Sequence, residues 1–191
     1  MKREKMRSVG HFLLIMGIGF LPYVQSLASD VYFSPEGGIR DQIIRHINTS
    51  RSTIDVVVYS FTSGEIAQAL AGAHKRGVKV RVIRDNSQSR DRNDENAFLK
   101  YNGIEVQIRS GKGRGIMHDK FAIFDGKEAF TGSYNWTNNA EHYNWENALF
   151  TDELKVVQSY GKEFEVLWKA PSKPVTKRKK SKSRYHTTFE F

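Results

Sequence analysis

Cysteine is absent from the 191-residue chain. Disulfide frameworks, cysteine-ligated zinc or iron–sulfur sites and cysteine nucleophiles are therefore excluded. No internal repeat is found, and the six histidines show no metal-ligand spacing. Long hydrophobic runs are also missing. The most apolar stretch, Phe12 to Val24, is about 13 residues, short of the ~20 that span a bilayer. Lys2, Arg3, Lys5 and Arg7 precede it and Ser26-Leu27-Ala28 follows. This is the tripartite pattern of a secretory signal peptide, expected to be cleaved after Ala28 and to send the protein to the periplasm or outside the cell. An uncleaved membrane anchor is the alternative.

Charge of one sign is in excess, at +9 overall, which invites a polyanionic partner. The excess is local. Eight basic residues and a single acid fall within 169–191, a proline-interrupted stretch without apolar periodicity that reads as a flexible basic tail. Residues 30–168 hold 18 basic and 19 acidic side chains. The middle of the chain is near neutral, so any binding of nucleic acid there rests on charges placed locally.

That middle, assigned as one domain over residues 29–168, alternates strand and helix patterns. Strands are expected at Val31–Phe33, Thr53–Phe61, Val78–Ile83, Ile104–Ile108, Lys120–Phe124, Ala129–Thr131 and Asn147–Phe150. Helices are expected from Ile39 to Ile47, after a cap at Thr62, near Asn93–Tyr101 and over Asp152–Trp168. Asp85–Asp94 reads as a mobile polar loop, and Asp125-Gly126 as a hairpin turn. The class is α/β, a mixed sheet flanked by helices.

The chemistry concentrates in His118, Lys120, Asp125, Gly132, Ser133 and Asn135, the pattern H-x-K-x4-D-x6-G-S-x-N. Two positions apart on a strand, His118 and Lys120 share a face. An imidazole that can act as nucleophile or acid/base then stands beside a fixed positive charge. Lys120 and Asn135 can bind the non-bridging oxygens of a phosphate while His118 attacks phosphorus. Ser133 supplies a hydroxyl from the next turn. Asp125 is read mainly as a support for the site. Arg109, Lys112 and Arg114, in and before a Gly-rich loop, are candidates to track a nucleic-acid backbone. Of the nearby aromatics Tyr134, Trp136, Tyr143 and Trp145, half are expected in the core and one or two could stack on bases. His11, His46, His74, His142 and His186 fall outside the pattern.

This pattern resembles the signature of the phospholipase D superfamily, the HKD motif. With Phe33–Gly37, Tyr59–Thr62 and Trp145–Ala148, roughly residues 31–168 look like the small single-motif bacterial secreted endonucleases of that superfamily. The resemblance implies a phosphohistidine intermediate on His118, a second HKD histidine that protonates the leaving group and later activates water, and no metal or other cofactor. It also implies an acidic residue about 28 positions on, here Glu146, that orients the imidazole. One motif per chain implies a homodimer. The expected activity is a phosphodiesterase, foremost a non-specific endonuclease. The alternative is a phospholipase D acting on phosphatidyl or cardiolipin-type lipids, with the basic tail on an anionic membrane.

Overall fold

The computed structural model describes residues 29–171; the signal segment and almost all of the basic tail lie outside the described residues. Thr53 to Val58 carries β-branched and apolar residues on both faces, as a strand covered on both sides must. It forms β2 (Thr53–Val58), in the middle of a seven-stranded sheet. The other strands are β1 (Ser29–Ser34), β3 (Lys79–Asp85), β4 (Glu105–Arg109), β5 (Lys120–Phe124), β6 (Glu128–Gly132) and β7 (Glu146–Thr151). Their order is β1-β7-β6-β5-β2-β3-β4. β2, β3 and β4 run parallel, and β5, β6, β7 and β1 add antiparallel neighbours.

The helices are α1 (Ile39–Thr49), α2 (Gly64–Lys75), α3 (Asn96–Tyr101), α4 (Asn138–His142) and α5 (Leu154–Lys169). Residues of α1, α2 and α3 pack with Val56, Val58, Ala122 and Phe124 on one face of the sheet. On the other face, Val157 and Phe164 of α5 pack with Val57, Phe121 and Ile123. Strand alternation divides β2 and β5 between the two cores. The mixed-sheet α/β architecture is thus as the sequence pattern indicates.

Several details differ. β2 stops at Val58, three residues before the expected end; Phe61 makes only an isolated bridge to Trp136. The cap of α2 is Ser63, whose hydroxyl accepts from the Ile66 N–H, rather than Thr62. The short helix α4 was not anticipated; Thr137 caps it, its side chain accepting from the Ala140 N–H. The polar stretch expected as a mobile loop contains a 3-10 turn at Gln88–Arg90 and a buried ion pair between Arg84 and Asp94. Asp85, Asp91 and Asp94 each accept from a backbone N–H two residues on, at 2.7–2.9 Å. Such side chain–backbone bonds carry no hydrophobic period, so periodicity misses the order. No helix among the described residues is long and apolar enough to cross a membrane.

Candidate active site

Strand direction gathers the site at one end of the sheet. β2 and β3 end there, at Val58 and Asp85, and antiparallel β5 begins there, since Lys120 pairs with Val58. β6 ends and β7 begins at the same end, with Gly132 paired to Ala148. Loops at the carboxyl ends of parallel strands are the usual location of sites in such sheets. An open cavity of about 500 Å³ lies there, lined by His118, Lys120, Ser133, Asn135, Glu146 and Tyr160 among others.

His118 is exposed and Lys120 is buried. The Lys120 Nζ donates to the His118 carbonyl at 2.7 Å and lies 3.2 Å from both ring nitrogens. Equal approach to both nitrogens puts the ammonium over the imidazole face, not in line with either lone pair. The Tyr59 ring packs on His118 at 4.6 Å between centroids and lies 5.1 Å from the Lys120 Nζ. Burial lowers the Lys120 pKa from the usual lysine range; the charges of Glu146 and Asp119 oppose this. Lys120 is a cation held partly out of water, where its field acts more strongly on an adjacent phosphate.

Ser133 and Asn135 are set by close contact of β6 with β7. A Cβ on Gly132 would fall 2.1 Å from the Asn147 carbonyl oxygen, so only glycine lets the strands meet this closely. The Ser133 N–H then donates to that carbonyl, and the Ser133 hydroxyl accepts from the Asn147 N–H at 3.1 Å. Asn135 Oδ1 accepts from the Ser60 N–H at 3.3 Å, which fixes the amide with its NH₂ as the group able to donate.

Glu146 lines the cavity but does not hold the His118 ring. Its carboxylate accepts from the Ser133 hydroxyl at 2.5 Å and from Asn144 Nδ2 at 3.0 Å, and no hydrogen bond joins it to His118. Among the described residues the expected ring-orienting contact is not formed, and the carboxylate bonds Ser133 and Asn144 instead.

Asp125 is at the other end of β5, five residues from Lys120, or about 17 Å along an extended strand. Its carboxylate accepts from the Arg51, Ser52 and Thr53 N–H groups and the Ser52 hydroxyl. It supports the fold and touches no site residue. Burial works against ionisation there, but these donors outweigh it and leave the pKa below the usual carboxylate value. Arg109 is likewise not a groove residue. It is 5% exposed and donates to the Leu167 and Trp168 carbonyls at the end of α5. Lys112 and Arg114 are exposed in the loop leading to His118.

Asp85 was missed by sequence reasoning. Buried at the end of β3, it accepts from the Met117 N–H at 2.8 Å and so anchors the chain one residue before His118. Its only sequence signal is an acid closing an apolar strand. Tyr134 and Trp136 are fully buried, whereas Tyr143 and Trp145 are 77% and 89% exposed. His46 is buried, its ring stacked between Phe124 and Phe150. Among the described residues no cluster of three or more His, Cys, Asp or Glu side chains could hold a metal ion.

Residues 43–168 match the family described as cardiolipin synthase, PLD-like domain. The chain is 40% identical over 126 residues to a mitochondrial cardiolipin hydrolase of Xenopus laevis, covering 66% of this chain and 59% of that protein. It is 33% identical over 128 residues to a phospholipase D of Rickettsia prowazekii, covering 67% and 62%. The chain thus spans about six-tenths of the length of these relatives. Among solved structures, it is similar to Nuc, a phospholipase D family member from Salmonella typhimurium. The TM-score is 0.69 at 32% identity, over 74% of this chain and 94% of that one. NucT from Helicobacter pylori gives a TM-score of 0.69 at 29% identity, over 74% and 96%. The motif geometry and these similarities lead to one conclusion: the chain belongs to the PLD-like family of the phospholipase D superfamily.

Proposed function

We propose that the chain is a metal-independent endonuclease that cleaves DNA or RNA through a phosphohistidine intermediate, with a homodimer as the active form. The observation that carries this reading is the juxtaposition of an exposed imidazole and a buried ammonium, with the Ser133 hydroxyl and Asn135 amide lining the same cavity. A ring nitrogen of His118 attacks phosphorus and the bond to the leaving oxygen breaks. Lys120 and Asn135 hold the non-bridging oxygens, whose negative charge must be stabilised in the transition state. The departing oxygen needs a proton, and a second histidine must give it. That group then takes a proton from water, which displaces His118 from phosphorus. His118 of a second copy, related by a twofold axis, meets this need. Ile116, Tyr143 and Trp145, exposed beside the site, supply apolar surface for such a contact.

Nucleic acid is favoured because the cavity is lined largely by polar side chains and exposed Lys112 and Arg114 precede His118. Non-specific cleavage fits a site that approaches the backbone rather than base edges. The lipid reading keeps a specific observation in its favour: Tyr143 and Trp145 stand exposed near the site, as aromatics do where proteins meet a membrane interface. We further propose action outside the cytoplasm, with the basic tail as an accessory tether to nucleic acid or anionic membrane.

The test is a substrate panel in EDTA: plasmid DNA, RNA and cardiolipin vesicles. Cleavage of nucleic acid is expected. Turnover of lipid alone would overturn the nuclease reading.

A further inference from the structure

Beside the catalytic cavity lies a second cleft of about 780 Å³, within the ~300–1,000 Å³ range of small-ligand sites. The two share Asn135 as a lining residue. Tyr59, whose ring packs on His118, also lines the second cleft. Gln88 holds Tyr59 by donating to its hydroxyl at 2.9 Å. Asn144 faces this cleft and donates to Glu146 of the catalytic cavity. A group leaving the scissile phosphate on this side therefore enters the second cleft directly.

Its lining indicates what that group is. No lysine or arginine contributes, and two carboxylates do, Asp91 and Glu95. A phosphate would be repelled. No aliphatic side chain contributes either, so an acyl chain would find no apolar wall. The remaining functionality is carboxamide and hydroxyl. The side-chain amides of Asn93, Asn138 and Asn139 make no hydrogen bond among the described residues. Tyr59 offers an aromatic surface at the mouth. A flat, neutral group rich in donors and acceptors fits this chemistry.

We propose that this cleft is a nucleobase subsite next to the scissile phosphate, selecting bases with an exocyclic amino group. This rests on the nuclease reading and adds a preference to it. Ionised carboxylates only accept hydrogen bonds, so Asp91 and Glu95 pair with the amino groups of cytosine, adenine or guanine. Thymine and uracil present a carbonyl oxygen where the amino group would stand and keep only the N3–H donor, so at least one carboxylate is left unpaired. The preference comes from one nucleotide, so it is modest and compatible with broad cleavage.

The experiment compares full-length protein with the double variant Asp91→Asn/Glu95→Gln on three substrates. These are single-stranded oligodeoxycytidylate, oligothymidylate and bis(4-nitrophenyl) phosphate, the last too small to need the cleft. Wild type is expected to cut oligodeoxycytidylate with a kcat/KM roughly five- to tenfold above oligothymidylate, the value of about one hydrogen bond. In the variant, whose amides can donate to thymine O4, that ratio should fall towards one while turnover of the small diester is unchanged. Equal cleavage of the two oligonucleotides by wild type, or an unchanged ratio in the variant, would overturn the inference and leave the nuclease reading standing. Turnover of the small diester with neither these oligonucleotides nor oligocytidylate and oligouridylate RNA cut would overturn the nuclease reading itself.

Discussion

Asp125 belongs to the motif, yet its side chain points away from the chemistry, so replacing it separates folding from catalysis. In Asp125→Ala, the N–H groups of Arg51, Ser52 and Thr53 and the Ser52 hydroxyl lose a charged acceptor. The turn is only partly buried, so water recovers some of each bond. At about 0.5–1 kcal/mol for each, the sum is about 2–4 kcal/mol. Asp125 also has a φ of 54° in the hairpin turn, with Gly126 at 65°; aspartate tolerates that left-handed conformation better than alanine, which adds in the same direction. A total near 3 kcal/mol corresponds to a fall in Tm of about 6–12 °C for a domain of this size. Asp125→Asn keeps one acceptor oxygen and the turn preference, and should lose about 1 kcal/mol. The pH dependence has a definite sign. The folded-state pKa is depressed, so the stabilisation is fully present above the unfolded aspartate value of about 3.9. It is lost as pH falls through the folded value, and the gap between wild type and Asp125→Asn should close there. Thermal melts at pH 7 and in acid measure this, with turnover of a small phosphodiester at 20 °C per folded molecule as control. Undiminished Tm with abolished turnover would refute the structural role and return Asp125 to the site.

Four further outcomes follow. Gly132→Ala, whose Cβ would meet the Asn147 carbonyl at 2.1 Å, should cost about 3 kcal/mol or more by forcing β6 from β7. It should lower kcat as Ser133 shifts, as seen in melts and steady-state kinetics. Arg109→Ala should lower Tm by freeing the end of α5 without changing the salt dependence of oligonucleotide binding. Lys112→Ala and Arg114→Ala should each flatten that salt slope by roughly 0.7–0.9 while leaving Tm unchanged. The alkaline limb of kcat/KM should lie below the ordinary lysine range, because burial lowers the Lys120 pKa and its charged form is the active one. Since the charge of Glu146 holds that pKa up, Glu146→Gln should move the limb to lower pH.

Both cores trace to patterns visible in the sequence. β2 and β5 alternate between two apolar faces, and α1, α2 and α5 have helical periods. His118, Lys120, Ser133 and Asn135 were legible because the antiparallel β5–β6 hairpin brings the start of β5 and the end of β6 to one end of the sheet. Less legible were contacts that depend on register and distance. Asp125 directly follows β5 in the expected turn, but the donors its carboxylate takes up, the N–H groups of Arg51, Ser52 and Thr53, are shown only by the sheet. Arg109 looks like a groove cation until the end of α5 is seen to fold over it. The role expected for Glu146 depended on which donors stood nearest, a question that spacing along the chain cannot answer. Asp85 and the second cleft bring together residues distant in sequence, joined by no period or motif.

The central claim is that His118 attacks phosphorus. Its most direct test is to trap the covalent intermediate. An internally radiophosphate-labelled single-stranded oligonucleotide is mixed with the protein in EDTA, quenched in alkali during turnover and digested to peptides. The account predicts acid-labile, alkali-stable label on the peptide containing His118, and none in His118→Ala, which should retain its fold and lose turnover. Turnover retained in His118→Ala, or label on a different residue, would contradict it.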